Sequence, residues 1–173
     1  MTSEEGAQRA VAEPPARFVA RLPGGGFEIA ADGAVAIRVV PAEDGWRVGG
    51  TDGLEGWILR RAAAERPGFV LGHPGSGTEG GRTMPPVGLG QESGLRFLLL
   101  EDGRVFRIVR RGPRQQGFEL LGWETSGAYL RAEPAAPGWR IAPTPAAGGL
   151  GELNVIAILF AAEITDAEDG LGR

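Results

Sequence analysis

Apolar and polar residues alternate along most of this chain, and near its end the alternation gives way to one apolar run. A four-residue phrase recurs: Gly26-Phe27-Glu28-Ile29, Gly45-Trp46-Arg47-Val48, Gly68-Phe69-Val70-Leu71, Gly94-Leu95-Arg96-Phe97, Gly117-Phe118-Glu119-Leu120 and Gly138-Trp139-Arg140-Ile141. Each is glycine, large apolar, variable, apolar, and the variable residue is charged in every phrase except at Val70. Residues two apart share one face of a strand, so the phrase reads as apolar on one side and charged on the other. Further alternating pieces lie between the phrases: Val35, Ile37 and Val39; Trp57-Ile58-Leu59-Arg60; Val105-Phe106-Arg107-Ile108-Val109; and Ala128-Tyr129-Leu130-Arg131. Just before them stand Asp32-Gly33, Glu55-Gly56, Asp102-Gly103 and Ser126-Gly127, pairs that supply the positive φ of tight hairpin turns. The pattern predicts six hairpins, about twelve strands, at the spacing of sandwiches and barrels.

The apolar run is residues 153–164, LNVIAILFAAEI. Its large side chains cover the whole circumference of a helix, and Ala157, Ala161 and Ala162 fill the gaps. A helix apolar all round is buried in protein or lies in a membrane. A span needs roughly 20 apolar residues; this run is shorter and is interrupted by Asn154 and Glu163. A core helix about 18 Å long is expected. It should end in the turn formers Thr165 to Gly170, TDAEDG. Such a rod needs cover on every side, which a closed barrel gives and a flat sheet does not.

The domain reading follows: a polar, Pro-rich N-terminal arm over 1–16, a barrel over 17–165, and an acidic tail over 166–173. The stretch 72–93 holds few strand formers and reads as one long, weakly ordered connection.

Composition narrows the chemistry. The 173 residues suffice for one domain with a real core. The 30 glycines and 13 prolines agree with many turns. Net charge is −4, and no nucleic-acid partner is expected. All 18 basic residues are arginine, which offers a forked donor to anions. Without cysteine there is no disulfide, thiol catalysis or zinc–thiolate site. The first residues carry no secretory signal pattern, and a bacterial cytosol is the expected location.

Order and pattern together resemble the tubby C-terminal-like fold, which includes the tubby, LURP-one-related and scramblase families. Phrases such as GWRV and GFEL, turns such as EDGRVFRIV and the closing LNVIAILFAAEI carry that resemblance over residues 17–165. It implies a mainly β protein, a twelve-stranded antiparallel barrel of six hairpins threaded by a hydrophobic C-terminal helix. Tubby proteins bind phosphoinositides through basic residues, so the resemblance also implies an anionic lipid ligand.

Candidate sites are few. Gly75-Ser76-Gly77-Thr78-Glu79-Gly80 matches a dinucleotide-binding pattern, but the prolines 85–86 oppose the helix that motif must open. His73 is the only histidine and has no nucleophile beside it in sequence; Ser3, Ser76, Ser93 and Ser126 lie in no nucleophile elbow. Asp166, Glu168 and Asp169 lack the spacing of a calcium loop. No catalytic residue, cofactor or metal is expected. Arginines are the suggestive group: Arg104, Arg107, Arg110, Arg111 and Arg114 fall close together, with Arg107 and Arg111 on the strand face opposite Phe106 and Ile108, and Arg60 and Arg61 close another strand. The expected function is a non-enzymatic binding module that takes anionic phospholipid or phosphate groups through these arginines, cytoplasmic and peripheral to the membrane. The alternative is a structural or protein-interaction subunit that meets a protein partner through the 72–93 loop or the N-terminal arm.

Overall fold

The six phrases become the even-numbered strands of a closed wall. A computed structural model describes residues 15–50, 53–62, 68–85, 95–111, 116–124, 127–150 and 152–169. The strands are β1 (Arg17–Arg21), β2 (Phe27–Ala31), β3 (Ala34–Ala42), β4 (Gly45–Gly49), β5 (Ile58–Arg61), β6 (Phe69–Gly72), β7 (Glu79–Met84), β8 (Leu95–Leu100), β9 (Val105–Arg110), β10 (Phe118–Gly122), β11 (Ala128–Ala135) and β12 (Gly138–Pro143). All neighbouring pairs are antiparallel, and β1 pairs with β12 to close the barrel, so no strand edge is left open. A 3₁₀ turn, Pro145–Gly149, then leads into the helix α1, Leu153–Asp169.

The helix lies inside the wall. Ile156, Ile158, Leu159, Phe160, Ala161, Ala162 and Ile164 are all completely buried, although together they point in every direction around the helix axis. Among the described residues, no helix is long and apolar enough to cross a membrane. The wall supplies Phe27, Ile29, Ile37, Val39, Leu59, Phe69, Leu71, Leu98, Leu120, Leu130 and Ile141 from its inward positions.

The phrase glycines have one shared task. A Cβ on Gly26 would collide with the carbonyl oxygen of Val39, one on Gly45 with that of Leu59, and one on Gly68 with that of Thr83. Gly117 meets Ala132 in the same way, and Gly138 meets Val19. Each glycine therefore lets one strand begin hard against the backbone of the strand beside it, and the β12–β1 contact repeats the relation that β2–β3 sets. Gly94 lies outside the described residues.

Three expectations need correction. Residues 72–93 are not one loop: His73–Thr78 form an exposed turn and Glu79–Met84 form β7. This strand, EGGRTM, carries no large apolar residue on its inward positions because the helix passes closest along β6–β8. A Cβ on Gly81 would stand 2.9 Å from Leu159 Cδ1. The helix also continues past Ile164 to Asp169 instead of stopping at Thr165, since Thr165 is buried by the wall and Ala167 and Glu168 are compatible with helix. Third, β8 is turned over relative to the phrase. Leu98 and Leu100 are buried, which puts Arg96 on the inward side and Phe97 outside. The arm's residues 1–14 and the tail's residues 170–173 lie outside the described residues.

Gly26 and Gly33 share a φ of +78°, but only Gly26 faces a backbone oxygen while Gly33 has open space. Gly33→Ala should cost about 1 kcal/mol for its left-handed backbone, and Gly26→Ala at least about 2 kcal/mol more, from overpacking. Urea unfolding of the two variants checks this; equal losses would remove the close-approach account.

Candidate functional site

The barrel has two unlike mouths, because its turns alternate between its two ends. The end at which the helix finishes is surrounded by inward-facing arginines. Arg21, at the end of β1, donates from Nη2 to the carbonyl oxygen of Thr165 at 3.1 Å. Arg61, at the end of β5, pairs with Asp166 at 2.8 Å, and its guanidinium lies 5.3 Å from the Phe69 ring centre and 5.6 Å from that of Trp46. Arg110, at the end of β9, lies 5.2 Å over Phe118. Arg21 and Arg61 thus meet the C-terminal part of the helix, where the dipole favours positive charge. The aromatic rings beneath Arg61 and Arg110 are the first large residues of three phrases, Trp46, Phe69 and Phe118, so the same phrase that starts a strand also seats a guanidinium.

Deeper in the same end lies a charged cluster within the core. Glu163 is 5% exposed. It accepts a hydrogen bond from Thr83 Oγ1 on β7 and pairs with Arg96 Nε on β8 at 2.9 Å. Thr83 Oγ1 in turn accepts from the Phe69 backbone N–H at 2.9 Å. Burial pushes the Glu163 carboxyl above its ordinary value, against the opposing pull of the Arg96 charge and the Thr83 hydrogen bond. Desolvation outweighs the ion pair because Arg96 is partly open to water while the carboxylate is not. At the opposite end of the helix, Arg17 donates to Asn154 Oδ1 at 2.9 Å, and burial lowers its guanidinium from the ordinary value.

The arginines singled out by sequence divide between these places. Arg60, Arg61, Arg110 and Arg111 come together at the mouth where the helix ends, although they arise on β5 and β9 and the connection after it. Arg114 belongs to that same β9–β10 connection but lies outside the described residues. Arg60 is exposed on the outer side of its strand. Arg111 is held by Glu119 at 3.4 Å and Glu133 at 3.2 Å. Arg107 sits midway along the outer wall, with Nε 3.4 Å from the Gly122 carbonyl oxygen. Arg104 is at the other mouth, bound to Asp102 at 2.7 Å and to Glu152. Its partner Asp102 is held below the ordinary carboxylate value, first by the Arg104 side-chain hydrogen bond.

That other mouth is acidic. Its turns, the first residue of β7 and the approach to the helix carry Asp32, Glu55, Glu79, Glu101, Asp102, Glu124 and Glu152. His73 lies there in the β6–β7 turn, where its Nδ1 accepts from the Gly75 backbone N–H at 3.1 Å. The glycine motif at 75–80 runs from that turn into β7, not into a helix. Among the described residues no group of three histidine, aspartate or glutamate side chains is placed to hold a metal ion.

Sequence reasoning missed Glu163, Arg96 and Thr83 as a group. The signal was present: a carboxylate in an otherwise apolar, all-round buried helix must find a partner. No protein-family model, curated protein or solved structure matches this chain.

A carboxyl whose value is raised by folding stabilises most below its ordinary value, and that contribution is lost as pH rises through the raised value. Wild-type stability relative to Glu163→Gln should therefore be greatest up to the ordinary carboxyl range and fall as pH rises above it. Urea unfolding at several pH values measures it. A wild type that gains on the variant as pH rises would mean that Arg96 outweighs the burial of Glu163.

Proposed function

We propose that this chain is a non-enzymatic binding module of the tubby-like kind, whose ligand is an anionic phosphate group presented by a phospholipid surface. One observation carries the reading: Arg60, Arg61, Arg110 and Arg111, distant in sequence, stand around a single mouth, and two of them rest on aromatic rings that hold their planes in place. A guanidinium fixed in this way loses little freedom when it meets a phosphate oxygen. The helix inside a closed twelve-strand wall supports the family part of the proposal. The protein would then be cytoplasmic and peripheral to the membrane, with this mouth facing the lipid. Asp166, Glu119 and Glu133 already neutralise part of the rim, so binding should be modest and salt-sensitive.

The alternative reading, a protein-interaction subunit, rests on the exposed β6–β7 turn, the described part of the 72–93 stretch that is free of wall strands. It uses the opposite mouth, which makes the two readings separable.

Co-sedimentation with phosphatidylcholine vesicles, with and without about 30% phosphatidylserine, tests the lipid reading. Binding is expected only with the anionic lipid and should weaken with salt. Arg60→Ala and Arg110→Ala should each reduce it about fivefold, from about 1 kcal/mol per arginine near a charged surface. Arg104→Ala should leave it unchanged. Absence of binding at low salt, or wild-type binding by both rim variants, would contradict the proposal.

A further inference from the structure

A recess lies at the acidic mouth, away from the arginine rim. It is a cleft of about 530 Å³ between the β8–β9 turn, the end of β10, the start of β11 and the 3₁₀ turn. Phe106, Tyr129 and Leu150 form its apolar lining, with Trp123, Arg104 and Glu124 around them. The volume falls within the range of small-molecule sites.

Two features set this cleft apart from an ordinary surface dip. Trp123 is 56% exposed, yet it is held: its ring meets Phe97 edge-on at 5.3 Å. The outward turn of Phe97, which follows from Arg96 facing inward, thus provides the buttress for an exposed indole. Tyr129 is likewise fixed edge-on against Phe106 at 5.5 Å. Aromatic walls of this kind are in place before any ligand arrives. The second feature is charge. Arg104 is already shared between Asp102 and Glu152. Glu124 is exposed on the rim. The cleft and its immediate border therefore carry an excess of carboxylate beside exposed aromatic faces.

We infer that this cleft is a binding site for a small organic cation, an ammonium group on an apolar body. The apolar part lies against Tyr129 and Leu150, and the ammonium is drawn to the Trp123 face and to the Glu124 carboxylate. Cation attraction to an indole face and a single exposed carboxylate act together, each modest alone. An anion of the same shape would meet Glu124 and the Asp102–Glu152 pair instead and be disfavoured.

Phenethylamine and 3-phenylpropionate share a ring and a short chain and differ in charge, which makes them the probes. Titration of the full chain, followed by tryptophan fluorescence and calorimetry, should give saturable binding of the amine with a Kd on the order of a millimolar. The acid should bind at least tenfold more weakly. Glu124→Gln should weaken amine binding about fivefold, and Trp123→Leu should remove the fluorescence response. Both positions are exposed, and an unchanged melting temperature of Glu124→Gln establishes that its fold is intact. The inference fails if the acid binds as well as the amine, if Glu124→Gln binds the amine like wild type, or if no saturation is reached at the solubility limit. Because the rim arginines lie at the other mouth, vesicle binding is independent of each of these outcomes.

Discussion

The structure depends on enclosing α1 from every direction. A helix with isoleucine, leucine, phenylalanine and alanine around its full circumference cannot lie on a surface without exposing apolar area, and each large side chain so exposed would forfeit about 1.5–3 kcal/mol. A meander of antiparallel strands solves this only if its first and last strands meet. That is why the β1–β12 pairing, with Gly138 pressed against the Val19 carbonyl, matters as much as any hairpin. The five described phrase glycines serve the same end, since each removes the one atom that would hold two neighbouring backbones apart.

The enclosure is not concentric. The helix lies nearest β6, β7 and β8, and the wall is thinned there by Gly81 and made polar by Thr83. Glu163 uses that place. Its carboxylate is surrounded by a hydroxyl from one strand and a guanidinium from the next, and a helix displaced along its axis would lose both. The charges at the two ends follow from the same arrangement. Toward its end the helix meets Arg21 at the Thr165 carbonyl and Arg61 at the Asp166 side chain, whereas the approach to its start carries Glu152 and the acidic turns. One cylinder therefore gathers arginines around one mouth, among the acids Glu43, Asp44 and Asp166, and carboxylates around the other, and the two proposed sites occupy opposite ends.

Much of this was legible in the sequence, and the parts that were not have identifiable causes. Alternation exposed the even strands because their inward residues are large, as in Phe27 and Ile29 or Trp139 and Ile141. It could not expose β7, whose inward positions hold glycine and threonine to make room for the helix. At β8 the period was right and the phase wrong: Leu95 and Phe97 look like the inward pair, but the need of Glu163 for a partner puts Arg96 inside. The helix outran its expected end because Thr165 reads as a turn former locally and is buried by distant strands. Arginines on β5 and β9 could be named but not joined, since only barrel closure brings those strands around one opening. Trp123 gave no signal, because its role depends on Phe97 pointing outward.

Native-state hydrogen exchange of the α1 backbone tests the enclosure most directly. Amides of Ile156 to Ile164 should exchange only through global unfolding, with the same free energy as the slowest amides of the barrel strands. Exchange of those helix amides well ahead of the strands would mean that the helix leaves while the wall stands, and would contradict a barrel built around it.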